Sequence, residues 1–226
     1  GFQAMKKNES PTFDHMGNIL QASELTVPVG IDRQLTFPPL QLQAGELVIM
    51  TGNSGSGKST WMHALAGLQG IASGHVSIAN HGQLTRTHCP PDWRQSGVGF
   101  IPQRPFFWPS LTVKGNLDLA QWCKGSQGDL QSWVDRMGLT HCMHQQAHSL
   151  SLGEQQRLSA IRAFSHDAPV LLADEPTASL DRDNATALIE SLRAYQQVSQ
   201  CAVLLATHDA SLAAMADRII ELPSPS

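Results

Sequence analysis

Short apolar runs bounded by polar residues recur along the chain, and their period changes from one region to the next. Residues 18–51 read as strands: "NILQASELTV", then "QLTFPPLQLQ", then the apolar "ELVIM". Pro38 and Pro39 mark an edge or a bend there. Glycine-rich sequence follows, then a helix predicted from about Lys58 to Leu68. "GHVSIAN" and "GVGFIPQ" are strand candidates. From about Pro105 to Ala163 the strand signals stop and helical patterns take over, as in "TVKGNLDLAQWC" and "DLQSWVDRMGL". Strand and helix then alternate: "PVLLAD", "RDNATALIESLRAYQQV", "CAVLLATHD", "ASLAAMA", "DRIIELP". Apolar strands alternating with helices predict an α/β fold, a mostly parallel sheet covered on both faces. The helical stretch at about 105–163 predicts a lobe inserted in that core.

The 226 residues suffice for one sizeable core with a smaller lobe attached. A net charge of −4 with 15% charged residues argues against a broad electrostatic grip, so no nucleic-acid partner is expected. Cys89, Cys123, Cys142 and Cys201 form no C-x-x-C pair, which fits a reduced, cytoplasmic protein. "PVLLA" and "CAVLLA" are far shorter than the roughly 20 apolar residues of a membrane span. No secretory leader pattern is present. "GFQA" before Met5 reads as an expression scar, residues 1–17 as a loose arm, and 18–226 as a single domain. The tail "PSPS" cannot extend a helix or a ladder.

The strongest local signal is "GNSGSGKST": Gly52, Asn53, Ser54, Gly55, Ser56, Gly57, Lys58, Ser59 and Thr60. It fits G-x-x-x-x-G-K-[ST], follows an apolar strand and opens a helix, the context that confirms the match. Glycines let the backbone wrap a phosphate closely, and the N–H groups point inward at a helix N-terminus. Lys58 can reach the β- and γ-phosphates, and the Ser59 hydroxyl can ligate Mg²⁺. "PVLLADEPTASLD" then places Asp174 at the carboxyl end of an apolar strand, where it would hold Mg²⁺. Glu175 would orient and polarise an attacking water.

Beyond these two motifs the chain resembles the ATP-binding subunits of ABC transporters, from about Gly17 to Leu222. Gln103 in "FIPQRPFF" matches the Q-loop glutamine, and "LSLGEQQRL" from Leu150 matches the signature motif. "ADEPT" matches the second nucleotide motif, "SLD" at Ser179 to Asp181 the D-loop, and "THD" the switch histidine, His208. The resemblance implies a P-loop NTPase core with an N-terminal antiparallel β portion and an inserted helical lobe. It also implies a head-to-tail dimer that sandwiches two ATP molecules with Mg²⁺, each between one subunit's phosphate loop and the other's signature motif. Gln103 would join the Mg²⁺ and water site to the helical lobe, His208 would contact the γ-phosphate, and Ser151 and Gly153 would face it from across the dimer. The working partners would be a second ATPase subunit, either another copy of this chain in a homodimer or a different ATPase, and integral membrane permease subunits at the inner face of the cell membrane.

Two positions depart from the family pattern. Leu152 stands where the signature has a glycine. If that position needs φ > 0, a leucine there costs on the order of 1–2 kcal/mol. If φ is negative, the side chain points away from the phosphate, and this second case is the expectation. Upstream, the position that usually carries an aromatic residue against adenine falls on Val29, so stacking becomes an aliphatic contact. Phe106, Phe107 and Trp108 are candidate docking residues for the membrane subunit, or else core between the lobes. His141, His144 and His148 cluster beside Cys142, but a metal site would need a fuller ligand set.

The expected function is that of an ATP-hydrolysing motor for transport or extrusion, with wording and compactness similar to the lipoprotein-release and macrolide-efflux ATPases. No regulatory domain is expected after "DRIIELP". The alternative is a non-transport ABC ATPase acting on a macromolecular complex. The translation-linked type usually carries two ATPase units in one chain, and the DNA-repair type carries long coiled coils. A small-molecule kinase would leave the signature motif, the D-loop and His208 unexplained.

Overall fold

The computed structural model describes residues 17–124 and 129–223. The expected loose arm, apart from Gly17, falls outside the described residues. The chain runs β1 (Asn18–Ala22), β2 (Leu25–Pro28), β3 (Gln34–Phe37), β4 (Leu40–Gln43), β5 (Leu47–Thr51) and α1 (Lys58–Leu65). After these come β6 (His75–Ile78), β7 (Gly82–Thr85), β8 (Val98–Ile101), α2 (Val113–Lys124), α3 (Gln131–Arg136) and α4 (Leu152–Phe164). The last elements are β9 (Val170–Asp174), α5 (Arg182–Ser199), β10 (Ala202–Ala206) and β11 (Arg218–Glu221).

A parallel sheet of five strands, in the order β11-β5-β10-β9-β8, forms the centre. β9 and β10 are buried along their whole length, which is why they read as continuous apolar runs. Alternate side chains feed opposite faces. Leu47, Ile49, Leu171, Ala173, Val203 and Leu205 join the core shared with α2, α3, α4 and α5. Val48, Met50, Val170, Leu172, Leu204 and Ala206 join the core shared with α1 and the antiparallel sheet.

That second sheet, ordered β4-β1-β6-β7, is antiparallel throughout. β4 alternates buried and exposed positions, as a one-sided sheet must. The predicted run "NILQASELTV" breaks at Ser23 and Glu24, so it supplies both β1 and β2, and Pro38 and Pro39 make the bend between β3 and β4. β7 escaped the sequence reading because it is short and mostly polar. Asn80, at φ 63°, and Gly82, at φ 78°, supply the turn that returns the chain from β6. "ASLAAMA" forms a 3₁₀ segment, Ala210–Met215, rather than an α-helix.

α2, α3 and α4 occupy the stretch predicted as the inserted lobe. Between α3 and α4, 3₁₀ turns at Thr140–Cys142 and Ala147–Ser149 bring the chain to the start of α4.

Candidate functional site

The loop from Gly52 to Gly57 joins the buried strand β5 to α1. Gly52 and Gly57 are required by space, and Gly55, with open space around it, by its φ of 80°. A Cβ on Gly52 would lie 2.8 Å from Ser56 Oγ and 2.9 Å from the Leu222 carbonyl oxygen. A Cβ on Gly57 would lie 2.9 Å from Leu35 Cδ1, and Gly57 has φ 93°. Lys58 opens α1 and is almost wholly buried. Its ammonium donates to the carbonyls of Gly52 at 2.8 Å and Asn53 at 3.2 Å, and it lies 3.3 Å from Glu175 Oε1.

Ser59 follows, and its hydroxyl donates to Asp174 Oδ1 at 3.0 Å. Asp174 ends β9, 3% exposed. Burial pushes its carboxyl above the usual range, and the Ser59 hydrogen bond partly offsets this. Glu175 adopts φ 43°, a left-handed backbone that a non-glycine residue holds at a cost of about 1–3 kcal/mol. Its amide donates to the Ala206 carbonyl at 2.9 Å, extending the β9–β10 ladder to the residue itself. His208 follows β10, and its Nδ1 lies 3.0 Å from Glu175 Oε2. Residues distant in sequence thus meet at the carboxyl edge of the parallel sheet, where ligand crevices form in open α/β sheets.

A cleft of about 410 Å³ opens over this edge, lined by Val29, Arg33, Leu35, Ser54, Gly55, Gly57, Lys58, Ser59, Thr60, Gln103 and Glu175. Val29 therefore faces the predicted nucleotide side. Arg33 and Leu35 stand beside it and were missed by sequence reasoning. Val29 N–H donates to the Arg33 carbonyl at 2.8 Å, closing the β2–β3 turn. Phe37 stacks on Trp61 with ring centroids 5.4 Å apart and planes 4° apart, which fixes that hairpin against α1. The pairing that carries Arg33 into the cleft crosses from strand to helix and has no local signal.

Ser151 and Gly153 are not among the residues lining the cleft. Ser151 caps α4. Its Oγ accepts from Glu154 N–H at 3.4 Å, and its own N–H donates to Glu154 Oε2 at 2.8 Å. The Ser151 hydroxyl donates to the same carboxylate oxygen at 2.6 Å, and these bonds hold Glu154 below the usual carboxylate range. Leu152 is the first helical residue, has no positive φ, and is 45% exposed. The unstrained alternative therefore describes it. Asp181 caps α5 through Asn184 N–H at 2.9 Å, and Asn184 Oδ1 in turn accepts from Arg157 on α4.

The three aromatics differ in burial. Phe107 joins the core, while Phe106 and Trp108 remain exposed along a groove with Leu68, Phe100, Leu119 and Arg162. Arg162 donates to the Phe106 carbonyl and stands 5.4 Å from the Phe107 ring centroid. Among the described residues no helix is long and apolar enough to cross a membrane.

A family model described as "ABC transporter" matches residues 38–178. The "Putative hemin import ATP-binding protein HrtA" of Staphylococcus haemolyticus is 36% identical over 183 residues, 79% of this chain and 83% of that protein. Its Staphylococcus aureus counterpart is 37% identical over 187 residues, 80% and 85% of the two chains. Among solved structures, the dimeric MJ0796 bacterial ABC transporter cassette superposes with a TM-score of 0.80 at 26% identity, covering 91% of this chain and 95% of that one. Its post-hydrolysis dimer bound to ADP and Pi gives 0.78 at 26% identity, covering 90% and 94%.

Proposed function

From the premise that this chain belongs to the ABC transporter family, as an ATP-hydrolysing motor subunit, we propose which of its residues carry each step. The convergence of Lys58, Ser59, Asp174, Glu175 and His208 on one sheet edge carries the reading. The backbone of Gly52, Asn53, Ser54, Gly55, Ser56 and Gly57 wraps the phosphates, Thr60 lines the same cradle, and Lys58 neutralises their charge.

The donor set fits a hard divalent cation: a hydroxyl and a buried carboxylate 3.0 Å apart, with Gln103 on the same cleft. Ser59, Asp174 and Gln103 would hold Mg²⁺, which when bound neutralises charge on the phosphate oxygens. Glu175 orients the attacking water and takes up its proton, and His208 steadies that carboxylate while reaching toward the γ-phosphate. Val29, Leu35 and the Arg33 side chain cover the base, an aliphatic and cationic surface in place of an aromatic ring.

Family members of this kind dimerise and work with membrane permeases. Here Ser151 and Gly153 lie outside the chain's own cleft, which supports their completing the partner's site, with the N-terminus of α4 directed at the bound phosphate. The single ATPase domain of 18–226 then acts as a homodimer at the inner face of the membrane. The groove at Phe106 and Trp108 receives a helix of the permease. The staphylococcal relatives carry hemin in their names, so hemin is the first cargo to assay with the permease present.

The test is the solution mass of Glu175→Gln with and without Mg-ATP. A monomer that becomes a dimer only with ATP supports the trans assignment of Ser151 and Gly153. A protein that binds ATP yet stays monomeric overturns the homodimer.

A further inference from the structure

Outside the phosphate site, three metal-ligand side chains converge on the helical lobe. His141 Nε2 lies 3.0 Å from Glu154 Oε1, and the ligand atoms of His141, Cys142 and Glu154 all lie within 4.8 Å of one another. The histidine-rich stretch alone lacked a fuller ligand set. The fold supplies it by bringing the first turn of α4 against the 3₁₀ turn Thr140–Cys142.

We infer that His141, Cys142 and Glu154 form a site for a thiophilic divalent cation of the Zn²⁺ class, beside the signature serine. Imidazole nitrogen, thiolate sulfur and carboxylate oxygen are the protein donors such an ion takes, with water completing four-coordination. Bonds of about 2.0–2.3 Å place ligand atoms roughly 3.3–3.8 Å apart, so a closure of about 1 Å suffices. His141 is exposed on its short turn and can swing, while Cys142 is buried and fixed, its thiol donating to the Leu139 carbonyl.

Glu154 is already oriented for this role. Its Oε2 accepts from the Ser151 amide and hydroxyl, leaving Oε1 toward His141. A ligating carboxylate held by such a second bond is the usual arrangement around protein metals. Binding converts the Cys142 thiol to thiolate and releases that proton to water. The ion then ties the 3₁₀ turn to the first turn of α4 without displacing the Ser151 cap, which makes the signature motif's position responsive to metal.

The exposed Cys89 and Cys123 must be removed before testing. In the Cys89→Ser/Cys123→Ser protein, Cd²⁺ titration should give a thiolate-to-cadmium ultraviolet band saturating at one equivalent. Cys142→Ser should abolish the band. His141→Ala, an exposed position whose loss leaves the fold intact, should weaken Cd²⁺ affinity on the order of tenfold or more. No band in the parent protein, a band that survives Cys142→Ser, or an affinity unchanged by His141→Ala each overturns the site.

Discussion

The side-chain amide of Gln156 donates to the main-chain carbonyl of Gln103 at 2.7 Å. This bond ties the helix that carries the signature motif to the loop that carries the cleft glutamine. Gln156 is almost completely buried, so the carbonyl finds no easy substitute donor.

Gln156→Leu should therefore destabilise the protein by about 1–2 kcal/mol. The melting temperature should fall by roughly 2–8 °C. Hydrolysis should slow while nucleotide affinity holds, since Gln103 loses its support and the phosphate loop does not. Calorimetry with parallel kcat and nucleotide Kd measurements checks this, and an unchanged kcat would count against the coupling.

Leu152 is an unstrained first helical residue, so restoring glycine there should not improve the site. Leu152→Gly should cost about 0.5–1 kcal/mol in urea unfolding. In the Glu175→Gln background it should leave the ATP-dependent dimer fraction no higher. A clear gain in dimer would show that the leucine obstructs the partner's site.

Asp174 is a carboxyl held in a dry place. Its folded pKa is raised, so the folded state binds a proton more tightly than the unfolded chain, and the carboxylate costs stability once pH passes above the usual carboxylate range. Asp174→Asn keeps an acceptor for Ser59 and removes the charge. It should raise the melting temperature of the nucleotide-free protein by roughly 2–4 °C, about 1 kcal/mol, while hydrolysis falls to background. Thermal unfolding and phosphate release measure the two effects, and a lower melting temperature would refute the desolvation argument.

Asp217 has the opposite sign. The Arg193 guanidinium, at 2.5 and 2.6 Å, holds its carboxyl down to about 2, aided by the Leu47 amide at 2.8 Å. A depressed folded pKa contributes stability that is complete above the ordinary value of 3.8 and is lost as pH falls toward about 2. Arg193→Gln should shift acid unfolding, followed by circular dichroism, to higher pH. The pair is partly exposed, so the cost at neutral pH should be only about 0.5 kcal/mol. An unmoved acid midpoint would assign Asp217's depression to the Leu47 amide alone.

The phosphate loop, the Asp174–Glu175 pair and the parallel core were legible because each is a local pattern. Loop chemistry is set by the spacing of Gly52, Gly57 and Lys58, and β9 and β10 are apolar because both faces are buried. Leu152 was half legible: a leucine was visible, but its φ depends on the Ser151–Glu154 cap that starts α4. The division of Phe106, Phe107 and Trp108 between groove and core was undecidable from hydrophobicity, because an apolar side chain reads the same in either place.

By itself, then, the sequence determined the chemistry and the elements that present it, since turns, caps and strand periodicity act over a few residues. Tertiary structure alone decided what those elements meet. Arg33 and Leu35 line the cleft from a hairpin that Phe37 packs against Trp61 of α1. Glu154 joins His141 and Cys142 only because α4 folds back on its preceding turn. Such meetings come from packing between surfaces distant along the chain, and no short window of residues encodes them.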